Sequence, residues 1–237
     1  MPGTETGATL LKVGVALIQR AAPTGLALLR SWLKGKEVMV VGQPRAGETT
    51  FIDYLQYGLF EDEKETEKTE NVTPSARFSI KLGRDAALEL SIKSVVDLPG
   101  QFGAVYQARL AAENRPHAIV IFTDLTRPLR GDSDRAAAAW LQEFCRTLER
   151  HWRIQRRQHN RVKSIILVLN KRDKVDEKTV AQRKAIFRKI LDVELREACG
   201  QMLEEVAIMP CTLVNNPDGT KAVDSVIAHL AKTLARL

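Results

Sequence analysis

Three short runs, far apart in the chain, have the residue types and spacing to hold a phosphorylated ligand. The first is Gly42-Gln43-Pro44-Arg45-Ala46-Gly47-Glu48-Thr49, followed by Thr50. It repeats the spacing G-x-x-x-x-G-K-[ST] of a phosphate-binding loop, with glutamate where the pattern has lysine. In such a loop glycines let successive backbone amides curl inward, and the following helix turns its positive N-terminal end toward the phosphates. An intact motif adds an ammonium that bridges the β- and γ-phosphates and a hydroxyl that binds magnesium. Thr49 keeps the second of these roles available.

The second run is Asp97-Leu98-Pro99-Gly100-Gln101, at the end of an apolar stretch that reads as a strand. There Asp97 is placed to order a magnesium shell, and the Gly100 amide to meet a γ-phosphate, because open α/β sheets bind ligands at the carboxyl ends of their strands. The third is Asn170-Lys171-Arg172-Asp173, again directly after an apolar stretch. Guanine offers a ring N–H and an exocyclic amine side by side, and the Asp173 carboxylate supplies the matching acceptor pair. The Lys171 stem can cover the base, and Asn170 can tie neighbouring loops together. Adenine lacks that donor pair, which disfavours an ATP-using enzyme.

Glu48 does more than omit a contact, because a carboxylate aimed at phosphate oxygens turns an attraction into a repulsion. Unit charges about 4 Å apart interact by roughly 4 kcal/mol at an effective dielectric near 20. Three ways around this stay open: Glu48 turns away, Glu48 helps hold magnesium, or Arg45 lends its guanidinium to the phosphates.

The elements that must position these runs are legible as alternating strands and helices from Glu37 onward, the pattern of a mainly parallel sheet with helices on both faces. Strands are expected at Val38–Val41, Arg77–Leu82, Leu88–Val96, Ala118–Phe122, Ser164–Leu169 and Val206–Pro210. The second and third should form an antiparallel hairpin around Gly83–Ala87. Helices are expected from Glu48 to about Tyr57, about Ser133–Trp152, about Val175–Cys199 and Val223–Leu237. The run from Glu61 to Glu67 is too charged for a core and reads as a surface loop. Residues 7–33 read as two short helices around Pro23, so the expected division is a helical extension over 1–35 and one nucleotide-binding domain over 36–237.

Taken together and in this order, the three motifs resemble those of the Ras superfamily over Glu37 to Leu237. The D-x-x-G-Q form and the N-terminal helices resemble its ADP-ribosylation-factor branch. The resemblance implies a three-layer α/β P-loop G-domain fold, a mainly parallel sheet with one antiparallel edge strand, and Mg2+ with GTP or GDP as cofactor. It further implies that Gln101 orients the attacking water, in a reaction driven by positioning and charge neutralisation. It implies a switch threonine meeting magnesium and the γ-phosphate: Thr73, with Thr69 and Thr66 as rivals. Cys211 and Thr212 would stand in the guanine-side loop, where the family has S-A-K or similar. Two functions follow: a guanine-nucleotide switch impaired in hydrolysis, or a pseudo-GTPase that keeps the fold as a protein-interaction module. Either would meet protein effectors or regulators.

Composition sets outer bounds. The 237 residues suffice for one well-filled core plus a short appendage, and 44% hydrophobic with 27% charged residues is ordinary for a globular chain. Cys145, Cys199 and Cys211 form no C-x-x-C pair, which fits neither a disulfide framework nor a zinc site and points to a reducing, cytoplasmic setting. No apolar run is long enough to span a bilayer, Pro2 stands where myristoylation needs glycine, and the last four residues hold no prenylatable cysteine. Membrane contact is therefore expected only as peripheral contact, through residues 7–33 or the basic segment 150–163. That segment, which has no acidic residue, also reads simply as a solvated helix end. The formal charge of +7 does not by itself identify nucleic acid as a partner, and none is expected.

Overall fold

The computed structural model describes residues 36–57, 76–81, 87–94, 103–131, 136–154, 162–195, 203 and 205–235. In chain order these form β1 (Lys36–Gly42), α1 (Glu48–Tyr57), β2 (Ala76–Lys81), β3 (Ala87–Ser94), α2 (Ala104–Asn114), β4 (Ala118–Asp124), α3 (Ala137–Ile154), β5 (Ser164–Asn170), a 3-10 turn (Arg172–Lys174), α4 (Glu177–Glu194), β6 (Glu205–Pro210) and α5 (Pro217–Ala235). The N-terminal extension, the acidic run, Thr66, Thr69, Thr73, Asp97, Gly100 and Gln101 lie outside the described residues.

The strands form one six-stranded sheet in the order β2-β3-β1-β4-β5-β6. Among the described strands only β2 runs antiparallel, against β3, with Phe78 opposite Leu90; the others pair in parallel. This is the mainly parallel sheet with an antiparallel edge that the alternating pattern implies.

Side chains alternate across the sheet, so each central strand feeds two cores. Met39, Val41, Ile119, Ile121, Ile165 and Leu167 pack on one face, where Ala108, Trp140, Phe144, Phe187 and Leu191 of α2, α3 and α4 cover them. Val38, Val40, Val120, Phe122, Ile166 and Val168 pack on the other, under Phe51, Val223, Val226 and Leu230 of α1 and α5. Helix on sheet on helix gives the three layers. Every residue of β4 and of β5 is buried, the physical reason both strands are continuous apolar runs rather than alternating ones.

Differences from the sequence reading are local. α5 starts at Pro217 rather than Val223, because Asn216 caps it through a 2.8 Å bond from the Gly219 amide and Pro217 suits a first helical position. α4 starts at Glu177 rather than Val175, with the Asp176 carboxylate accepting from the Thr179 amide at 2.6 Å. α2 is an element that sequence reading did not find at all. Its buried face is Ala104, Ala108, Ala111 and Ala112 with Gln107, a stripe at helical spacing but of small residues with little hydrophobic contrast. Of the basic segment, residues 155–161 lie outside the described residues; within it Arg153 pairs with Glu149 at 3.1 Å.

Candidate phosphate and base site

Parallel pairing sets the carboxyl ends of β1, β4, β5 and β6 along one rim. Gly42 stands opposite Phe122, Asp124 opposite Asn170, and Leu169 opposite Pro210. The loops that leave this rim carry every described residue of the first and third sequence motifs.

The loop after β1 is a turn closed by the Ala46 amide on the Gln43 carbonyl at 2.9 Å. Arg45 and Gly47 take left-handed backbone conformations, φ 62° and 109°, and such a reversal aims consecutive amides toward one point. The first intrahelical bond of α1 runs from the Phe51 amide to the Gly47 carbonyl at 3.0 Å. The amides of Glu48, Thr49 and Thr50 precede it and have no partner within the helix. They form the positive end of the α1 dipole.

Glu48 does not turn out to solvent. It is buried, and its carboxylate lies back over Gly42: a Cβ built there would collide with Glu48 Oε1 and stand 2.9 Å from Glu48 Cδ. The carboxylate thus sits within the loop, beside the helix end that attracts anions.

Asn170 joins the two halves of the site. Its Nδ2 donates to the Ala46 carbonyl at 2.7 Å, and its Oδ1 accepts from the Leu213 amide at 3.2 Å. One buried amide therefore fixes the loop after β1 to the loop after β6. Gly47 lies under the same side chain. Lys171 has φ 60°, and its ammonium pairs with Asp124 at 2.6 Å. Burial alone would raise the Asp124 carboxyl, but hydrogen bonds from Lys171 and from the Thr126 hydroxyl and amide outweigh it and hold it below the ordinary carboxylate value. Asp173 is exposed on the 3-10 turn beside them. Cys211 and Thr212 are buried in the next loop. Burial pushes the Cys211 thiol up to about 12, so it is a neutral packing group at neutral pH.

Three contributors were not found by sequence reading. Asp124 follows the expected strand and fixes Lys171. Arg127 reaches the Pro44 carbonyl. Gln107, on α2, is buried and pairs with both sides of Gly42, accepting from its amide and donating to its carbonyl, each at 2.9 Å. An amide facing an amide across 65 residues leaves no local signal. Gln107→Leu would strand one buried donor and one buried acceptor, each costing about 1–3 kcal/mol. The expected result is a loss of roughly 2–6 kcal/mol in urea unfolding. Equal stability of Gln107→Leu and wild type would contradict this clamp.

No protein-family model matches the chain, and no curated protein matches it. Among solved structures, the chain is similar to a bacterial selenocysteine-specific elongation factor EF-Sec, at 20% identity and a TM-score of 0.50, over 85% of this chain and 29% of that one. It also matches translation elongation factor SelB from Methanococcus maripaludis in its apo form, at 15% identity and a TM-score of 0.48, over 83% of this chain and 34% of that one. The chain thus spans about a third of the length of the structures it matches. The architecture shared with the first is the P-loop G-domain fold.

Proposed function

We propose that this chain is a guanine-nucleotide-binding protein of the P-loop GTPase class whose phosphate affinity and hydrolysis are limited by Glu48. The observation that carries the reading is the Asn170 bridge, because one buried side chain of the third motif bonds both the loop of the first motif and the loop after β6. On this reading Asp173 accepts the two guanine donors, and Cys211 and Thr212 close the base side. The residues Gly42 to Thr50 cradle the phosphates. Thr49, Asp97 and Thr73 are hard oxygen donors suited to Mg2+, and Gln101 orients water. Placement near the Ras superfamily rests on the three motifs taken in order, and placement near its ADP-ribosylation-factor branch on the D-x-x-G-Q run and residues 7–33 alone.

A second reading, the pseudo-GTPase, is favoured by one observation: an anion already buried in the loop at Gly42. Calorimetric titration with GDP, GTP, ATP and guanosine, each with magnesium, separates the readings. The expected result is weak binding of guanine compounds and none of ATP, and Asp173→Asn should abolish the preference. Tight magnesium-dependent GTP binding would eliminate the pseudo-GTPase, and a preference for ATP would overturn the guanine assignment.

A further inference from the structure

Asn170 and Lys171 are neighbours in the third motif, and the fold fastens them in different directions. Asn170 is bonded to Ala46 and Leu213, whereas the Lys171 ammonium reaches the Asp124 carboxylate at 2.6 Å. Asp124 stands opposite Asn170 in the register of β4 and β5, so this ion pair runs along the rim from one strand end to the next. The main chain is fixed on the same turn, with the Arg172 amide on the Cys211 carbonyl and the Lys174 amide on the Lys171 carbonyl, each at 3.1 Å. Lys171 itself has φ 60°, an uncommon state for a residue with a side chain and one that surrounding contacts must hold.

Asp124 divides its oxygens between two tasks. Oδ1 accepts from the Thr126 amide at 2.8 Å and from its hydroxyl at 2.6 Å, which closes the turn after β4. Oδ2 takes the Lys171 ammonium. The turn needs only the first oxygen; the second acts on the base side. The carboxylate is buried, with 6% of its side chain exposed against 31% for Lys171, so water and salt screen the pair less than they would one on the open surface. A lysine held at its tip has its flexible four-carbon stem restricted before any ligand arrives, and a group already ordered need not lose that freedom on binding.

We infer that Asp124 is a positioning residue of the base side: through Lys171 it presents the lysine stem as a preformed wall for the purine, while the ammonium serves the protein rather than the ligand. The inference deepens the guanine-nucleotide reading above and rests on it.

The test titrates guanosine, inosine and GDP, the last with magnesium, into wild type, Asp124→Asn, Lys171→Met and the double variant, with thermal melting as the check on folding. Asparagine keeps an oxygen for Thr126 and turns an amide donor toward the ammonium, so the turn is retained and Lys171 is released. Methionine keeps an unbranched stem without the charge, and the Arg183 guanidinium of α4 remains within electrostatic reach of Asp124. Asp124→Asn should lose about three- to tenfold in affinity for all three ligands in equal proportion, the cost of ordering one long side chain on binding. The preference for guanosine over inosine, which Asp173 sets on this reading, should not change. In Lys171→Met the further change Asp124→Asn should cost less than about twofold, because no ammonium is left to hold. An equal loss in both backgrounds would overturn the assignment, since a carboxylate that only shaped the turn would act without Lys171. Guanosine binding by Asp124→Asn as tight as wild type would overturn it as well, and so would a shifted ratio of guanosine to inosine. Lys171→Ala tests the wall with Asp124 and its turn intact: it should lose at least as much as Asp124→Asn, and wild-type affinity there would overturn the inference alone. Absence of binding by all three ligands in wild type and every variant would overturn the guanine-nucleotide reading, and this inference with it.

Discussion

Glu48→Lys should raise GTP affinity by about a thousandfold and should at the same time slightly destabilise the nucleotide-free protein. The gain follows from charge reversal: a carboxylate and an ammonium about 4 Å from phosphate oxygens differ by several kcal/mol even at an effective dielectric near 20, and each 1.4 kcal/mol is about tenfold. The burial of Glu48 against Gly42 makes the effect large, since a solvated carboxylate would be screened. The loss has a separate cause. Glu48 is the first residue of α1, where an anion gains about 0.3–1 kcal/mol from the helix dipole and a cation forfeits it. The expected signature is opposite signs: lower melting temperature without nucleotide, higher with it. Stopped-flow or calorimetric titration and a phosphate-release assay provide the measurements. If lysine improves neither affinity nor turnover, the first motif is not acting as a phosphate loop.

Gly47→Ala is expected to cost roughly 2–5 kcal/mol and to disable the loop, although alanine is usually better than glycine in a helix. Two terms add. At φ 109° an L side chain is strained by about 1–2 kcal/mol. A Cβ there would also collide with Asn170 Nδ2 and stand 2.6 Å from Leu213 Cδ1, and overpacking of this kind costs about 1–3 kcal/mol. Asn170 cannot simply swing aside, because its amide is committed at both ends to Ala46 and Leu213. Relief of the clash therefore breaks the bridge between the two halves of the site. Urea unfolding of Gly47→Ala within about 0.5 kcal/mol of wild type would show that the loop is not built this way.

Both effects depend on contacts that cross the rim of the sheet, and here the reach of sequence reading differs between scaffold and site. Buried central strands announce themselves, since Val38–Val41, Ala118–Phe122 and Ser164–Leu169 must be apolar on both faces. The start of α1 was legible to the residue, because a phosphate-loop pattern ends where a helix begins. α2 was not, because a helix that lies close to a sheet through alanines lacks the contrast that periodicity needs. The missing element carried Gln107, and with it the clamp on Gly42.

Residue order by itself determined the alternating layers, the antiparallel edge, the candidate loops and the anomaly at position 48, because local periodicity, turn chemistry and motif spacing are properties of neighbours in the chain. Only the tertiary structure decided that the Glu48 carboxylate folds inward over Gly42, that one Asn170 amide joins Ala46 to Leu213, and that Arg127 lies on the Pro44 carbonyl. Those contacts span 83 residues for Arg127 and 124 for Asn170. They exist because the pairing of β1 with β4 and of β4 with β5 fixes which loop ends meet, and that register is set by packing on both faces of the sheet, not by any local run of residues.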